Sequence, residues 1–312
     1  MLDIVEEECK DMFGYDYFYR EGWQYIIDKY DGRLPLEIKA LPEGTIVPGK
    51  CAMMTIQNTD PKCYWLTNFV ESRLSQTWDG CTVGTFSYNI RRMMQEKYGY
   101  YNPYALNDFG LRGASSTESA MIGGAAHLLS FDGTDNMPGK MTLKAFYGGN
   151  RGKSVFALEH STVTSWGEEF EALAYKNSLD KVPDDATISI VSDSYDINRA
   201  ICDIFGNQLK QQIIDRTGRT VIRPDSGDPV VQCLNVLVKL DRIFGSTVDN
   251  RGLKILKHNI GVIYGDGISY DSIKYILEII TNAGFSPENV VFGMGGALLQ
   301  KGNRDTFSFA LK

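Results

Sequence analysis

Four apolar runs in the second half of the chain each break at a turn rich in Asp, Ser and Gly, and this repeated pattern restricts the fold more than any other feature. Thr187-Ile188-Ser189-Ile190-Val191 runs into Ser192-Asp193-Ser194, and Thr220-Val221-Ile222 runs into Arg223-Pro224-Asp225-Ser226-Gly227. Gly261-Val262-Ile263-Tyr264 runs into Gly265-Asp266-Gly267, and Asn289-Val290-Val291-Phe292 into Gly293-Met294-Gly295-Gly296. β-Branched residues suit buried strands, and Pro and Gly end them. The first three runs are followed by stretches of helical period over 197–214, 230–244 and 272–283. Strands alternating with helices predict a parallel sheet, closed into a barrel or doubly wound, whose C-terminal tips face one site.

Such a sheet needs a sizeable core, and 312 residues with 43% hydrophobic and 12% aromatic content supply one, with room for about two domains. A net charge of -7 without a long basic stretch argues against a nucleic-acid partner. The six cysteines, at positions 9, 51, 63, 81, 202 and 233, form no Cys-x-x-Cys pair, and there are only three histidines. Reduced thiols are expected, with neither a zinc site nor a disulfide frame. The acidic start lacks a signal-peptide core, and the uncharged stretch 119–131 is too short to span a membrane, so a soluble, cytoplasmic protein is expected.

Residues 1–62 read as part of an antiparallel β-rich subdomain, with a helix over 21–30 stopped at Asp31-Gly32 and paired strands over 34–40 and 44–58. Residues 63–100 read as connecting helices. In the one over 64–78, Trp65, Leu66, Phe69, Val70 and Leu74 share a core-packing face. Residues 101–312 read as the α/β barrel that carries the chemistry.

Gly148 to Ser154 ends like a phosphate-binding loop, but Tyr147 occupies the position of the required first glycine, and a strand-like segment, 154–160, follows. A Walker-type site is therefore excluded, leaving a basic loop able to cover an anionic ligand. Asp225 and Asp266, each beside glycine at a strand tip, suit a sugar phosphate: glycine amides approach phosphate oxygens while carboxylates take ribose hydroxyls. Turn capping is the alternative use of such aspartates. A carboxylate about 4 Å from a developing cation contributes roughly 1 kcal/mol in water and about 4 at an effective dielectric near 20. The latter approaches a thousandfold in rate, enough to stabilise an oxocarbenium-like transition state at a ribose C1.

His160, at the end of its expected strand and followed by Ser161-Thr162, is a candidate for acid–base or phosphoryl chemistry, against the commoner structural role. His127, in a run of small apolar residues, reads as a packed helix histidine, and His258 carries no signal. Phe109 can stack on a planar base and Arg112 can clamp a phosphate, or their loop can pack on itself. Asp108-Phe109-Gly110 is not a kinase signature, because the kinase Gly-rich and catalytic loops are absent.

Asp108-Phe109-Gly110-Leu111-Arg112-Gly113, Gly133-Thr134-Asp135, Glu159-His160-Ser161-Thr162 and the four strand tips occur in the order found in the nicotinamide phosphoribosyltransferases, which the chain resembles over nearly its whole length. The resemblance extends to Lys29-Tyr30-Asp31-Gly32 and Asn58-Thr59-Asp60-Pro61. It implies an irregular (β/α) barrel of the type II phosphoribosyltransferase kind with a partial antiparallel β subdomain. It also implies transfer of phosphoribosyl from phosphoribosyl pyrophosphate to nicotinamide, giving nicotinamide mononucleotide and pyrophosphate in NAD salvage.

Carried over by motif, Phe109 would stack on the pyridine ring, Asp135 would accept the carboxamide N–H, and Arg223 and Ser189 would border the same pocket. A carboxylate at Asp135 welcomes an amide and repels nicotinate or quinolinate. Asp225 and Asp266 would hold the ribose, and Gly265, Gly295 and Gly296 would lend backbone amides to its 5'-phosphate. Arg112, Arg304 and Lys312 would meet the pyrophosphate. His160 matches the family's phosphorylatable histidine, through which ATP hydrolysis is coupled to product formation, with Asp193 orienting its ring. Magnesium would arrive with phosphoribosyl pyrophosphate, with no metal cage in the protein.

The resemblance further implies a homodimer with sites shared between subunits. Family members carry an N-terminal segment, including a Tyr and an Asp that reach the partner's nicotinamide, and a C-terminal part of the sheet domain, both outside these 312 residues. Ala310 stands where the family has a phosphate-contacting Ser, and Ala297 replaces the last Gly of its tip. Two expectations follow: a second polypeptide supplies the missing parts, or the chain is a catalytically idle fragment that binds nucleotide or a partner subunit.

Overall fold

The computed structural model describes residues 1–311. The chain divides into two compact units, Met1–Thr77 with the extreme C-terminal residues, and Trp78–Ser308. The helices read together as 63–100 fall on both sides of that division.

The first unit contains α1 (Leu2–Phe13), α2 (Arg20–Tyr30), β1 (Leu36–Ala40), β2 (Met54–Asn58) and α3 (Leu66–Ser75). Helix α2 stops at Asp31, whose φ of 53° is left-handed, as the Asp-Gly pair predicts. Strands β1 and β2 pair antiparallel, from Leu36 opposite Asn58 to Ala40 opposite Met54. The second strand is shorter than the expected 44–58. The Pro42 and Pro48 turns hold the preceding residues, with Thr45 N–H donating to the Pro42 carbonyl and Cys51 N–H to that of Pro48. Ile26, Cys63 and Leu66 form a small core flanked by Trp23 and Trp65. Of the expected apolar stripe, Phe69 stays 58% exposed, edge-on to Trp23.

Asp60 ties this unit together. Its Oδ2 accepts from Lys29 Nζ at 2.9 Å, Tyr25 Oη at 2.8 Å and Tyr30 Oη at 2.7 Å, while Oδ1 accepts the Lys62 N–H at 2.9 Å. The Lys29 ammonium and these hydroxyls hold its carboxyl well below the usual carboxylate range. A depressed acid stabilises the fold fully above its unfolded pKa, near about 4, and loses that contribution as the pH falls through its folded value. Asp60→Asn should therefore destabilise the unit at neutral pH and flatten its acid unfolding limb, as followed by circular dichroism against pH.

The second unit runs α4 (Trp78–Tyr98), β3 (Leu106–Asp108), α5 (Thr117–His127), β4 (Gly133–Thr134), α6 (Met137–Tyr147), β5 (Phe156–Ala157), α7 (His160–Trp166), α8 (Glu171–Lys181) and β6 (Ile188–Val191). It continues through α9 (Ile197–Arg199), α10 (Lys210–Asp215), β7 (Thr220–Arg223), α11 (Pro229–Phe244), β8 (Ser246–Val248), β9 (Lys254–Leu256), β10 (Ile260–Tyr264), α12 (Tyr270–Asn282), β11 (Val290–Met294) and α13 (Gly296–Leu299). Seven strands form one sheet in the order β4-β3-β11-β10-β7-β6-β5, and every pair in it is parallel. The sheet curls until its edges nearly meet: Lys153, just before β5, exchanges backbone bonds with β4 through Thr134 N–H (3.0 Å) and the Asp132 carbonyl (2.8 Å). The basic loop 148–154 thus links the two edges of the curled sheet through one isolated β-bridge, Lys153 to Gly133. The barrel expected from the sequence is the fold observed.

Strands β6, β7, β10 and β11 and helices α11 and α12 lie where the apolar runs predict. The expected helix over 197–214 differs: between α9 and α10 lies a nine-residue π-helical stretch, Ala200–Gln208, and Leu209 N–H bonds the Ile204 carbonyl five residues back. His160 also differs from its expected place at a strand end. Leu158 N–H makes the last bond to β6, at the Ser189 carbonyl, and the chain then turns into α7, of which His160 is the first residue. Among the described residues no helix is long and apolar enough to cross a membrane, and no disulfide joins the cysteines.

Candidate active site

Alternation along the strands decides what enters the barrel. Asn107, Ser154, Ser189, Val221, Ile263 and Val291 line an interior cavity of ≈ 570 Å³. Two residues further along their strands, the same faces present Phe109, Arg223, Gly265 and Gly293 at the C-terminal mouth. Ser189 pairs with Val221 and Val191 with Arg223, so Ser189 lies one layer beneath Arg223.

Asp193 is the hub of this mouth. Its Oδ1 lies 3.0 Å from His160 Nε2, and its Oδ2 accepts from the Asp225 N–H at 2.9 Å and Ser226 Oγ at 2.5 Å. Burial works against the charge of Asp193, yet these hydrogen bonds outweigh it and hold the carboxyl below its ordinary value. Since a carboxylate only accepts, His160 Nε2 carries the proton of this bond, which leaves Nδ1 as the ring nitrogen free for chemistry. That nitrogen faces Asp225 Oδ2 at 3.9 Å. Tyr264, fully buried, donates to the carbonyls of Ser226 and Gly227 at 2.9 and 3.0 Å and so fixes the Asp225 turn from below.

Arg223 is bound to Asp225, with Nη2 at 3.0 Å from both carboxylate oxygens, and its guanidinium lies 5.8 Å from the centre of the Phe109 ring. That ring rests on the bare backbone of Gly293, where a Cβ would overlap it, and also approaches Gly265. Gly293→Ala must push Phe109 off its seat. Overpacking of this kind costs about 1–3 kcal/mol, so affinity for a planar ligand stacked on that ring should fall roughly tenfold to a hundredfold, as a binding titration would show.

Asp135, just past β4, accepts from Ser154 Oγ at 2.5 Å. Withdrawal from water raises its carboxyl above the usual range, with Ser154 and then Arg223 opposing. Ser154 lies just before β5 and lines the cavity together with Val155 and Phe156, with no local pattern to mark it.

The other expected residues are placed less tightly. Arg112 is exposed in a short turn whose Gly113 packs against the backbone of Gly296, bringing that turn beside Gly295 and Gly296. Asp266 is exposed at the tip of β10. Arg304 is exposed and paired with Asp305 at 3.0 Å, and among the described residues no hydrogen bond or ion pair joins it to the strand tips. Lys312 lies outside the described residues. His127 is fully buried, bonded to Ser87 Oγ at 2.8 Å and to the Gly133 carbonyl at 3.2 Å, and its burial lowers its pKa, in keeping with a packed helix histidine. Among the described residues no cluster of three or more His, Cys, Asp or Glu is gathered to hold a metal.

A curled parallel sheet with its ionisable residues at one mouth defines an α/β-barrel protein, and the fold is shared with a solved Saccharomyces cerevisiae protein described as a nicotinate phosphoribosyltransferase (TM-score 0.50, 14% identity, 89% of this chain and 66% of that one). The model of the nicotinate phosphoribosyltransferase (NAPRTase) family matches residues 104–312, and the chain belongs to that family. It is 45% identical to a nicotinamide phosphoribosyltransferase of Xanthomonas campestris pv. campestris over 95% of this chain and 65% of that protein. It is also 34% identical to one of Acinetobacter baylyi (90% and 61%) and 33% identical to one of Mycoplasma pneumoniae (100% and 73%). The chain thus spans about two thirds of the length of these relatives.

Proposed function

We propose that this site transfers phosphoribosyl from phosphoribosyl pyrophosphate to nicotinamide, releasing pyrophosphate, in the salvage of NAD. The observation that carries the choice of amide over acid is the state of the two charges beside Phe109. Arg223 would attract a nicotinate carboxylate if its charge were uncommitted, but Asp225 holds it with both oxygens. Among the described residues the Asp135 side chain has only the Ser154 hydroxyl as hydrogen-bond partner, and its carboxylate can accept a carboxamide N–H. The names of the bacterial relatives point the same way.

In this reading the pyridine stacks on Phe109, with Arg223 and Ser189 bordering the pocket. Asp225 and Asp266 hold the ribose, and Asp225 faces the charge that develops at C1. The amides of Gly265, Gly295 and Gly296 meet the 5'-phosphate, and Arg112, Arg304 and Lys312 meet the pyrophosphate. Magnesium, which keeps substrate phosphates and waters as ligands, comes with phosphoribosyl pyrophosphate and needs at most one or two carboxylates here. A homodimer, or a second polypeptide completing the site, belongs to the same proposal. Met137 and Met141, one turn apart just after Asp135, are 61% and 62% exposed and offer apolar surface to such a partner.

His160 is the phosphate acceptor for ATP. Asp193 holds Nε2–H, so the Nδ1 lone pair attacks the γ-phosphorus and ADP leaves. Wild type incubated with ATP labelled in its γ-phosphate should acquire an acid-labile phosphate that His160→Asn lacks. A wild type that takes up no phosphate would refute the coupling.

A further inference from the structure

We infer that Asp108, the last residue of β3, is a positioning residue that sets the two walls of the base pocket against each other. Its side chain is fully buried, and among the described residues no cation pairs with it. Each carboxylate oxygen serves one wall. Oδ1 accepts the N–H of Gly110 at 2.7 Å, directly after the stacking Phe109. Oδ2 accepts from Asn136 Nδ2 at 2.9 Å, directly after the amide-reading Asp135, and the Asp108 carbonyl takes the Asp135 N–H at 3.0 Å.

Asn136 extends the link. The same Nδ2 donates to the Ala120 carbonyl at 2.8 Å, and Oδ1 accepts the Gly139 N–H at 3.0 Å, capping α6. With both amide hydrogens and its oxygen engaged, Asn136 cannot turn over without losing bonds to α5 and α6. A buried carboxylate is tolerated only when N–H donors satisfy it, and here those donors belong to the two walls. An amide at position 108 would set a donor against Gly110 N–H or against Asn136 Nδ2. The charge is therefore matched to the spacing between Phe109 and Asp135.

The inference rests on the nicotinamide reading for its kinetic consequence and on geometry alone for its structural one, so the test has two arms. In Asp108→Asn, amide hydrogen exchange at Gly110 and Asp135 should accelerate, and nicotinamide KM should rise about tenfold to a hundredfold while phosphoribosyl pyrophosphate KM stays within about twofold. Unchanged exchange at both amides, or equal rises in the two KM values, would overturn it. Should that variant fail to fold, Asn136→Ala removes the Asp135 side of the link, together with the bonds to Ala120 and Gly139, and leaves the Gly110 side intact. Exchange should then quicken at Asp135 with Gly110 still protected, and no change at Asp135 would overturn the inference. If wild type neither binds nor uses nicotinamide, the functional reading fails, and the exchange arm still decides the role of Asp108.

Discussion

Asp225→Asn should lower kcat for nicotinamide mononucleotide formation by about a thousandfold while moving nicotinamide KM only severalfold. The carboxylate is 17% exposed, its partner Arg223 is 16% exposed, and a Cβ on Gly265 would sit 3.4 Å from Oδ1, so this charge faces the mouth with little water around it. About 4 kcal/mol is then available against a cation developing about 4 Å away, compared with roughly 1 kcal/mol in open water. Tenfold in rate per 1.36 kcal/mol gives the thousandfold. Asn keeps the shape and an acceptor for Arg223 but leaves that largely buried guanidinium without its counter-charge, so a drop in melting temperature should accompany the loss of rate. The same substitution releases the Arg223 charge, and nicotinate should bind better to the variant than to wild type. An unchanged kcat would remove Asp225 from the transition state.

Asp135→Asn should shift the preference from nicotinamide toward nicotinate by about a hundredfold in the ratio of kcat/KM values. Two facing carboxylates about 4 Å apart repel by roughly 1 kcal/mol in water and about 4 at an effective dielectric near 20. Asp135 is more exposed than Asp225, which places the effect between those limits. The pH dependence has a defined sign. Although Asp135 is exposed, the protein around its carboxyl displaces enough water to raise it above the usual range, so it takes a proton earlier than an ordinary aspartate as the pH falls. Discrimination against nicotinate should be full at neutral pH and fade on acidification through that raised value. The variant's ratio, measured over the same pH range, should lack this step, and a step of equal size in both proteins would show that Asp135 is not its source.

The parts of this molecule legible in the sequence are those set by local chemistry. β-Branched runs ending at Pro, Gly and Asp placed β6, β7, β10 and β11, and family motifs placed Asp193 near His160. The parts that were hidden depend on distant partners. The spacing of Ile201, Ile204 and Phe205 is that of an ordinary α-helix, so the π-helical hydrogen bonds of 200–208 left no mark in it. The stretch 156–160 reads as extended throughout, but its ladder to β6 ends at Leu158, and only that loss of partner frees His160 to begin a helix. Ser154 was seen only as the end of a failed phosphate loop, because its meaning lies in Asp135, nineteen residues away. Asp108 was quoted within a motif, while its bond to Asn136 spans 28 residues and leaves no local trace.

The most direct test supplies the protein with equal concentrations of nicotinamide and nicotinate, distinguished by isotopic label, together with phosphoribosyl pyrophosphate, magnesium and ATP, and reads the mononucleotides by mass. Nicotinamide mononucleotide in large excess is the expected result. Nicotinate mononucleotide in equal or greater amount, or no mononucleotide at all, would contradict the proposed function.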